Sequence, residues 1–157
     1  MCIRDRLFLA QEHDSSDIGK VLFDPHKDMK SVTSTSPSRQ QIKDANFAWH
    51  IAKFVKSNAV VICKNQKTIG IGAGQMSRID ATKIAIQKAI HNKFDLNDAV
   101  VASDAFFPFK DNIEEIAKSG ASCIIQPGGS IKDGEVVAAA EELGLSMILT
   151  KVRHFRH

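Results

Sequence analysis

The chain has 157 residues, 43% hydrophobic and 25% charged, the make-up of one soluble globular domain or part of a larger one. Its formal charge of +3 comes without a run of Lys and Arg, which argues against a nucleic-acid arm, and no apolar run reaches the length of a membrane span. Cys2, Cys63 and Cys123 are widely spaced with no Cys-x-x-Cys pair, so they read as reduced thiols of a cytoplasmic protein and not as a disulfide framework or zinc site.

Met1-Cys2-Ile3-Arg4-Asp5-Arg6 resembles a translated sequencing-adapter remnant. It has neither the apolar core nor the cleavage site of a signal peptide, and residues 1–6 read as a non-native leader. Leu7 to Gln11 could form a short strand inside a polar connecting segment over residues 7–38, with Asp24-Pro25 and a Ser/Thr/Pro cluster near its end. Ser38-Arg39-Gln40-Gln41 then fits a capping box that opens a helix through about Lys56. Ile42, Ala45, Trp49 and Ala52 share its apolar stripe, with Ala48, Ile51 and Val55 beside them, so Trp49 reads as core. The β-branched run Ala59 to Cys63 predicts a strand, and a turn at Lys64 to Lys67 leads into a second strand at Thr68 to Ile71. A helix is expected over Arg78 to His91, with Ile79, Thr82, Ile86 and Ile90 on its buried stripe.

From there strands and helices alternate. Ala99 to Ala102, Ser122 to Gln126 and Leu145 to Thr150 read as strands. Between them, Asp111 to Lys118 reads as a helix with an Asp-x-x-Glu box at Asp111 and Glu114, and Asp133 to Leu143 as another; Gly120 and Gly144 end the two. The expected fold class is therefore α/β, with a mixed, mainly parallel sheet flanked by helices.

Ligands of open parallel sheets bind beyond the carboxyl ends of the strands. Four unusual segments fall there: Gly72 to Arg78, Ser103 to Asp111, Gln126 to Ser130, and the tail Arg153 to His157. The second places three of the nine phenylalanines within four positions around Pro108. Aromatic rings on such a loop suit a flat ligand, while a hydrophobic plug over the sheet end is the simpler structural use. Phe107 is expected to point into the core. Arg78, Lys110, Arg153 and Arg156 would add cationic charge, so the edge suits a nucleotide-like ligand with rings and an anionic group. Gly70-Ile71-Gly72-Ala73-Gly74 is half of a dinucleotide fingerprint, but Gln75 stands at the third glycine. Pro127-Gly128-Gly129 can be a tight turn as well as a phosphate cradle. His154 and His157 are too few for a metal site.

Several long motifs together, Lys53 to Ala59, Ile69 to Arg78, Ser103 to Asp111, Ile125 to Ile131 and Arg153 to His157, resemble the bifunctional purine biosynthesis family, AICAR transformylase/IMP cyclohydrolase. The resemblance runs from about Leu7 to the last residue. It implies a C-terminal part of the transformylase domain, with residues 39–157 forming a cytidine-deaminase-like α/β subdomain. It also implies formyl transfer from 10-formyltetrahydrofolate to AICAR, the family's other domain closing the product to IMP, and a homodimer without nucleic-acid or membrane partners. Carried onto this chain, Asn58 would orient the substrate amide and the formyl group, and His157 would lie near the reacting groups. Ser77, Arg78 and Ile79 would line the folate side, and Phe106, Pro108 and Phe109 would border the aminoimidazole and pterin rings. Asp111 and Asn112 would hydrogen-bond the folate, and Arg153 would meet the AICAR phosphate. The family's Lys-His pair has no counterpart here, which implies that the chain alone is inactive; His50 and Lys53 belong to the packing helix. Against this enzymatic reading stand a non-catalytic nucleotide-binding module and a dimerisation module.

Overall fold

Ser38 accepts a hydrogen bond from the Gln41 N–H at 3.1 Å, and the Gln41 side chain accepts one from the Ser38 N–H at 2.9 Å. This closed capping box starts helix α1, Arg39–Ala52. The computed structural model describes residues 31–157. The expected leader, the strand at Leu7 to Gln11 and most of the connecting segment lie outside the described residues. The elements that follow are β1 (Val60–Lys64), β2 (Lys67–Gly72), α2 (Arg78–His91), β3 (Val100–Ser103), α3 (Asp111–Ser119), β4 (Cys123–Gln126), α4 (Asp133–Glu142) and β5 (Ser146–Leu149).

The five strands form one sheet in the order β2-β1-β3-β4-β5. β1 pairs antiparallel with both β2 and β3, whereas β3, β4 and β5 are mutually parallel. Four strands therefore point one way and β1 alone runs against them, which is the mixed, mainly parallel sheet expected. Successive strand residues face opposite sides, so the core splits in two. Val60, Ile62, Val101, Ile124 and Met147 pack under α2, α3 and α4, while Val61, Cys63, Ala102, Ile125 and Ile148 pack under Ala45, Ala48, Trp49 and Ala52 of α1.

Three local expectations are corrected. Helix α1 ends at Ala52, not near Lys56: the Phe54 and Val55 N–H groups bond three residues back, to Ile51 and Ala52, and tighten the chain out of the helix. Helix α2 buries Ala81, Thr82, Ala85 and Ala89, while Ile79 and Ile86 are only half-buried and Ile90 is 59% exposed. The cause lies on the neighbouring strand. Gly70 and Gly72 let α2 approach so closely that a Cβ at either would collide with the carbonyl of Ala85 or Ala81, and only alanines fit that contact face. Helix α3 begins without a side-chain cap. Lys110 takes the N-cap position, and Asp111 instead accepts from the Asn112 N–H at 2.7 Å. Gly72→Ala is expected to cost about 1–3 kcal/mol by overpacking, read as a lower urea midpoint; an unchanged midpoint would contradict this close approach.

Cys63 and Cys123 are fully buried beneath α1. Burial pushes both thiols up from 9.0 to about 12. The unfolded chain then ionises first, so their contribution is intact below pH 9 and is lost as pH rises towards 12. Urea midpoints should fall above pH 9, and Cys123→Ala should flatten that slope. An identical slope in wild type and variant would show that Cys123 does not contribute.

Candidate functional site

The carboxyl ends of β2, β3, β4 and β5 and the start of β1 lie along one edge of the sheet, and the four segments singled out in the sequence meet there. Backbone hydrogen bonds join them. Gly74 N–H donates to Lys56 O at 2.7 Å, and Asn58 N–H donates to Gln75 O at 3.2 Å. The tail is tied along its length: Thr150 N–H to Gln126 O at 2.9 Å, Lys151 N–H to Pro127 O at 3.0 Å, His154 N–H to Asp104 O at 2.9 Å, and Ser57 N–H to Arg156 O at 2.8 Å. His154 is buried against Trp49, their ring centroids 4.6 Å apart. The tail is thus a built wall, with the side chains of Arg153, Phe155, Arg156 and His157 exposed on it.

Between these walls lies a cleft of about 550 Å³. Asn58, Ser77, Arg78, Ile79, Phe106, Pro108, Phe109, Asp111, Asn112 and Arg153 all line it, together with Met76, Ala105 and Phe155. His157 does not line it; its ring stacks on Phe155 at 5.6 Å, one residue removed. The aromatic loop divides its labour. Phe107 is completely buried, Phe106 is half-buried, and Phe109 is 53% exposed with the Lys132 ammonium 4.8 Å from its ring centroid. Plug and ring wall are both present, on adjacent residues.

Arg78 does not supply a rim charge. It is buried as the first residue of α2, behind the Ser77 cap, and its guanidinium is ion-paired with the buried Asp104. Nη1 also donates to Ser103 Oγ at 2.9 Å, and Nη2 donates to Asn58 Oδ1 at 2.7 Å. Asp104 Oδ1 further accepts from the Ala59 N–H at 3.2 Å, whereas Oδ2 is buried without a hydrogen-bond partner among the described residues. Asn58 Nδ2 donates to Gln75 O at 2.9 Å. Since a guanidinium only donates and a carbonyl only accepts, these two bonds fix which way the Asn58 amide points. One N–H and one lone pair of Asn58 remain for a ligand. Ser103 and Asp104 open the second of the four segments at this edge, but no individual role follows from their neighbours in sequence, because the Arg78 that pairs with Asp104 lies 26 residues away.

Asn112 is buried in the cleft floor, where its Oδ1 accepts from Thr82 Oγ1 at 2.9 Å and its Nδ2 donates to Asp111 Oδ1 at 2.8 Å. It therefore holds the exposed Asp111 carboxylate in place. The glycine loop is not open for phosphate on its amides. Asp133 already accepts from the Gly129 N–H at 2.6 Å and the Ser130 N–H at 3.1 Å, so it closes a tight turn. A smaller depression of about 340 Å³ beside that turn is lined by Lys151 and Arg153. Among the described residues, no group of three or more His, Cys, Asp or Glu could hold a metal ion.

A protein-family model described as the AICARFT/IMPCHase bienzyme matches residues 3–88, more than half of the chain. The chain belongs to the AICARFT/IMPCHase bienzyme family. The family is enzymatic and acts in purine biosynthesis. The matched part contains Asn58, Ser77, Arg78 and Ile79; the aromatic loop and the tail lie beyond it.

Solved structures share the architecture at low identity. A dCMP deaminase from cyanophage S-TIM5 is 14% identical with a TM-score of 0.50, the match covering 70% of this chain and 98% of that one. Acinetobacter baumannii RibD is 13% identical with a TM-score of 0.53, over 69% of this chain. A Thermotoga maritima diaminohydroxyphosphoribosylaminopyrimidine deaminase/5-amino-6-(5-phosphoribosylamino)uracil reductase is 19% identical with a TM-score of 0.49, over 70% of this chain. The chain spans 35% of the length of each of these last two structures. The likeness to the cyanophage deaminase and to RibD concerns the fold alone, which is the deaminase-like α/β arrangement expected. No helix among the described residues is long and apolar enough to cross a membrane.

Proposed function

We propose that this chain builds part of an AICAR transformylase site, taking AICAR and the pterin of 10-formyltetrahydrofolate in the cleft at the sheet edge. The observation that carries the reading is the convergence of Phe106, Pro108, Phe109, Asn58 and Arg153 on one cleft. Flat faces at Phe106 and Phe109 suit an aminoimidazole and a pterin, whose rings gain from stacking on aromatic side chains. Arg153 is exposed and suits a phosphate. Asn58, its amide held by Arg78 and Gln75, has a donor and an acceptor left for a carboxamide or a formyl oxygen. Asp111, held by Asn112, can accept from ring N–H groups of a pterin. The folate supplies the one-carbon unit; the chain supplies position and the hydrogen-bond donors that a developing oxyanion needs.

A weakly basic aromatic amine must lose a proton as it attacks, and among the described residues no His or Lys lines the cleft. The proposal therefore assigns proton transfer to parts of the family enzyme outside this cleft wall, and formyl transfer by the 157-residue chain alone is expected to be absent or nearly so. The same observation favours the second reading, a non-catalytic nucleotide-binding module. The proposal extends to a cytoplasmic homodimer that contacts neither nucleic acid nor membrane, with IMP cyclohydrolase activity residing in another domain.

Calorimetric titration with AICAR and with folic acid separates the readings. Binding of both is expected, with Arg153→Ala weakening AICAR by about 10–100-fold through loss of a charge-assisted bond and Asn58→Ala by about tenfold. AICAR binding without folic acid would favour the non-catalytic module. Binding of neither would leave only a dimerisation role, measured by sedimentation.

A further inference from the structure

The four residues of β4 are all buried, and its last, Gln126, is a polar side chain with no exposure. Its Oε1 accepts from the Phe107 N–H at 2.8 Å, and its Nε2 lies 3.3 Å from Met147 Sδ. Its own carbonyl accepts from the Thr150 N–H at 2.9 Å, where the tail leaves β5. One residue therefore grips both cleft walls, the aromatic loop through its side chain and the Arg153 tail through its backbone.

We propose that Gln126 is a positioning residue that sets the aromatic wall of the cleft, and through it the spacing between the rings and the cation of Arg153. The inference rests on the ring-binding reading above and deepens it. Phe107 is anchored twice, by its ring in the core and by its N–H on Gln126. With that residue fixed, Phe106 and Phe109 on either side are directed into the cleft. Without an acceptor at position 126 the Phe107 N–H would be left unpaired in an apolar interior, and the loop would have to shift to satisfy it. No nearby sequence pattern signals this: Gln126 and Phe107 are 19 residues apart.

The test compares Gln126→Met, close in size but without an oxygen acceptor, with Gln126→Glu, which keeps one for the Phe107 N–H. Folic acid is the ring probe, followed by calorimetry; hydrogen exchange at the Phe107 amide reports the grip itself. Gln126→Met should bind folic acid about tenfold more weakly and lose Phe107 protection, while Gln126→Glu stays within about threefold of wild type. Equal binding by Gln126→Met and wild type, or equal loss in both variants, would overturn the proposal. If Gln126→Met does not fold, Gln126→Leu, which also lacks an acceptor, takes its place under the same criterion. If wild type binds no folic acid, the ring-binding reading has failed, and Phe107 exchange alone judges the grip: protection in wild type that is lost in Gln126→Met supports it, and fast exchange in wild type sinks it.

Discussion

Asp104→Ala is expected to destabilise the protein by about 3–5 kcal/mol, a large share of the roughly 5–15 kcal/mol that holds a typical domain folded. The Arg78 and Asp104 side chains are only 7% and 1% exposed, so removing the carboxylate strands a guanidinium in the interior. The Ala59 N–H loses its acceptor at the same time. Burial makes the pair costly to break without making it strongly stabilising to have, because both charges were desolvated to form it. The double variant Arg78→Met/Asp104→Leu should therefore recover much of the stability, yet not the ligand affinity, since Asn58 would have lost the donor that orients its amide. Urea unfolding followed by the fluorescence of Trp49, the one tryptophan, measures the first effect. A loss below about 1 kcal/mol, the range of exposed pairs, would contradict a buried pair.

Phe107→Ala should cost a similar amount, about 3–5 kcal/mol, from lost burial and the cavity left behind. Phe107 sits without exposure among Ile113, Ile116, Ile124 and Met147. Phe109→Ala, two residues along and 53% exposed, should change stability by less than about 0.5 kcal/mol and act on ring binding instead. Unfolding and folic acid titration of the two variants thus separate plug from wall within one loop. Equal stability losses would erase the distinction. A weakened ligand with unaltered stability in Phe107→Ala would reverse the assignment.

What could be read from the sequence was local or periodic. The Ser38 capping box and both ends of α2 follow from residues within a few positions of each other, and the β-branched runs mark β1 and β4. The meeting of the four loop segments at one sheet edge followed too, because strands joined by short helical crossovers must bring their carboxyl ends to one side. The missed features are pairings across the chain. The inward turn of Arg78 depends on Asp104, and the buried face of α2 depends on glycines in β2 that remove the side chains isoleucine would have packed against. Asp44 of α1 is 1% exposed because its carboxylate accepts the Asn65 and Gln66 N–H groups of the β1–β2 turn at 2.8 and 2.6 Å. Asn112 likewise spends its amide on Thr82 and Asp111, so its contribution passes through a neighbour. His157 stands one ring away from the cleft because the tail is tied at Arg156, which leaves the last residue to stack on Phe155.

On the proposed reading, one cleft, walled by the aromatic loop and the tail, holds the nucleotide. Amide chemical-shift mapping of the labelled 157-residue chain with AICAR tests this most directly. Saturable shifts should concentrate at Asn58, Ser77, Phe106, Phe109 and Arg153, and in Arg153→Ala their midpoint should move to about 10–100-fold higher AICAR. No shifts at millimolar AICAR, or shifts confined to the outer edge of β2 away from the cleft, would contradict it.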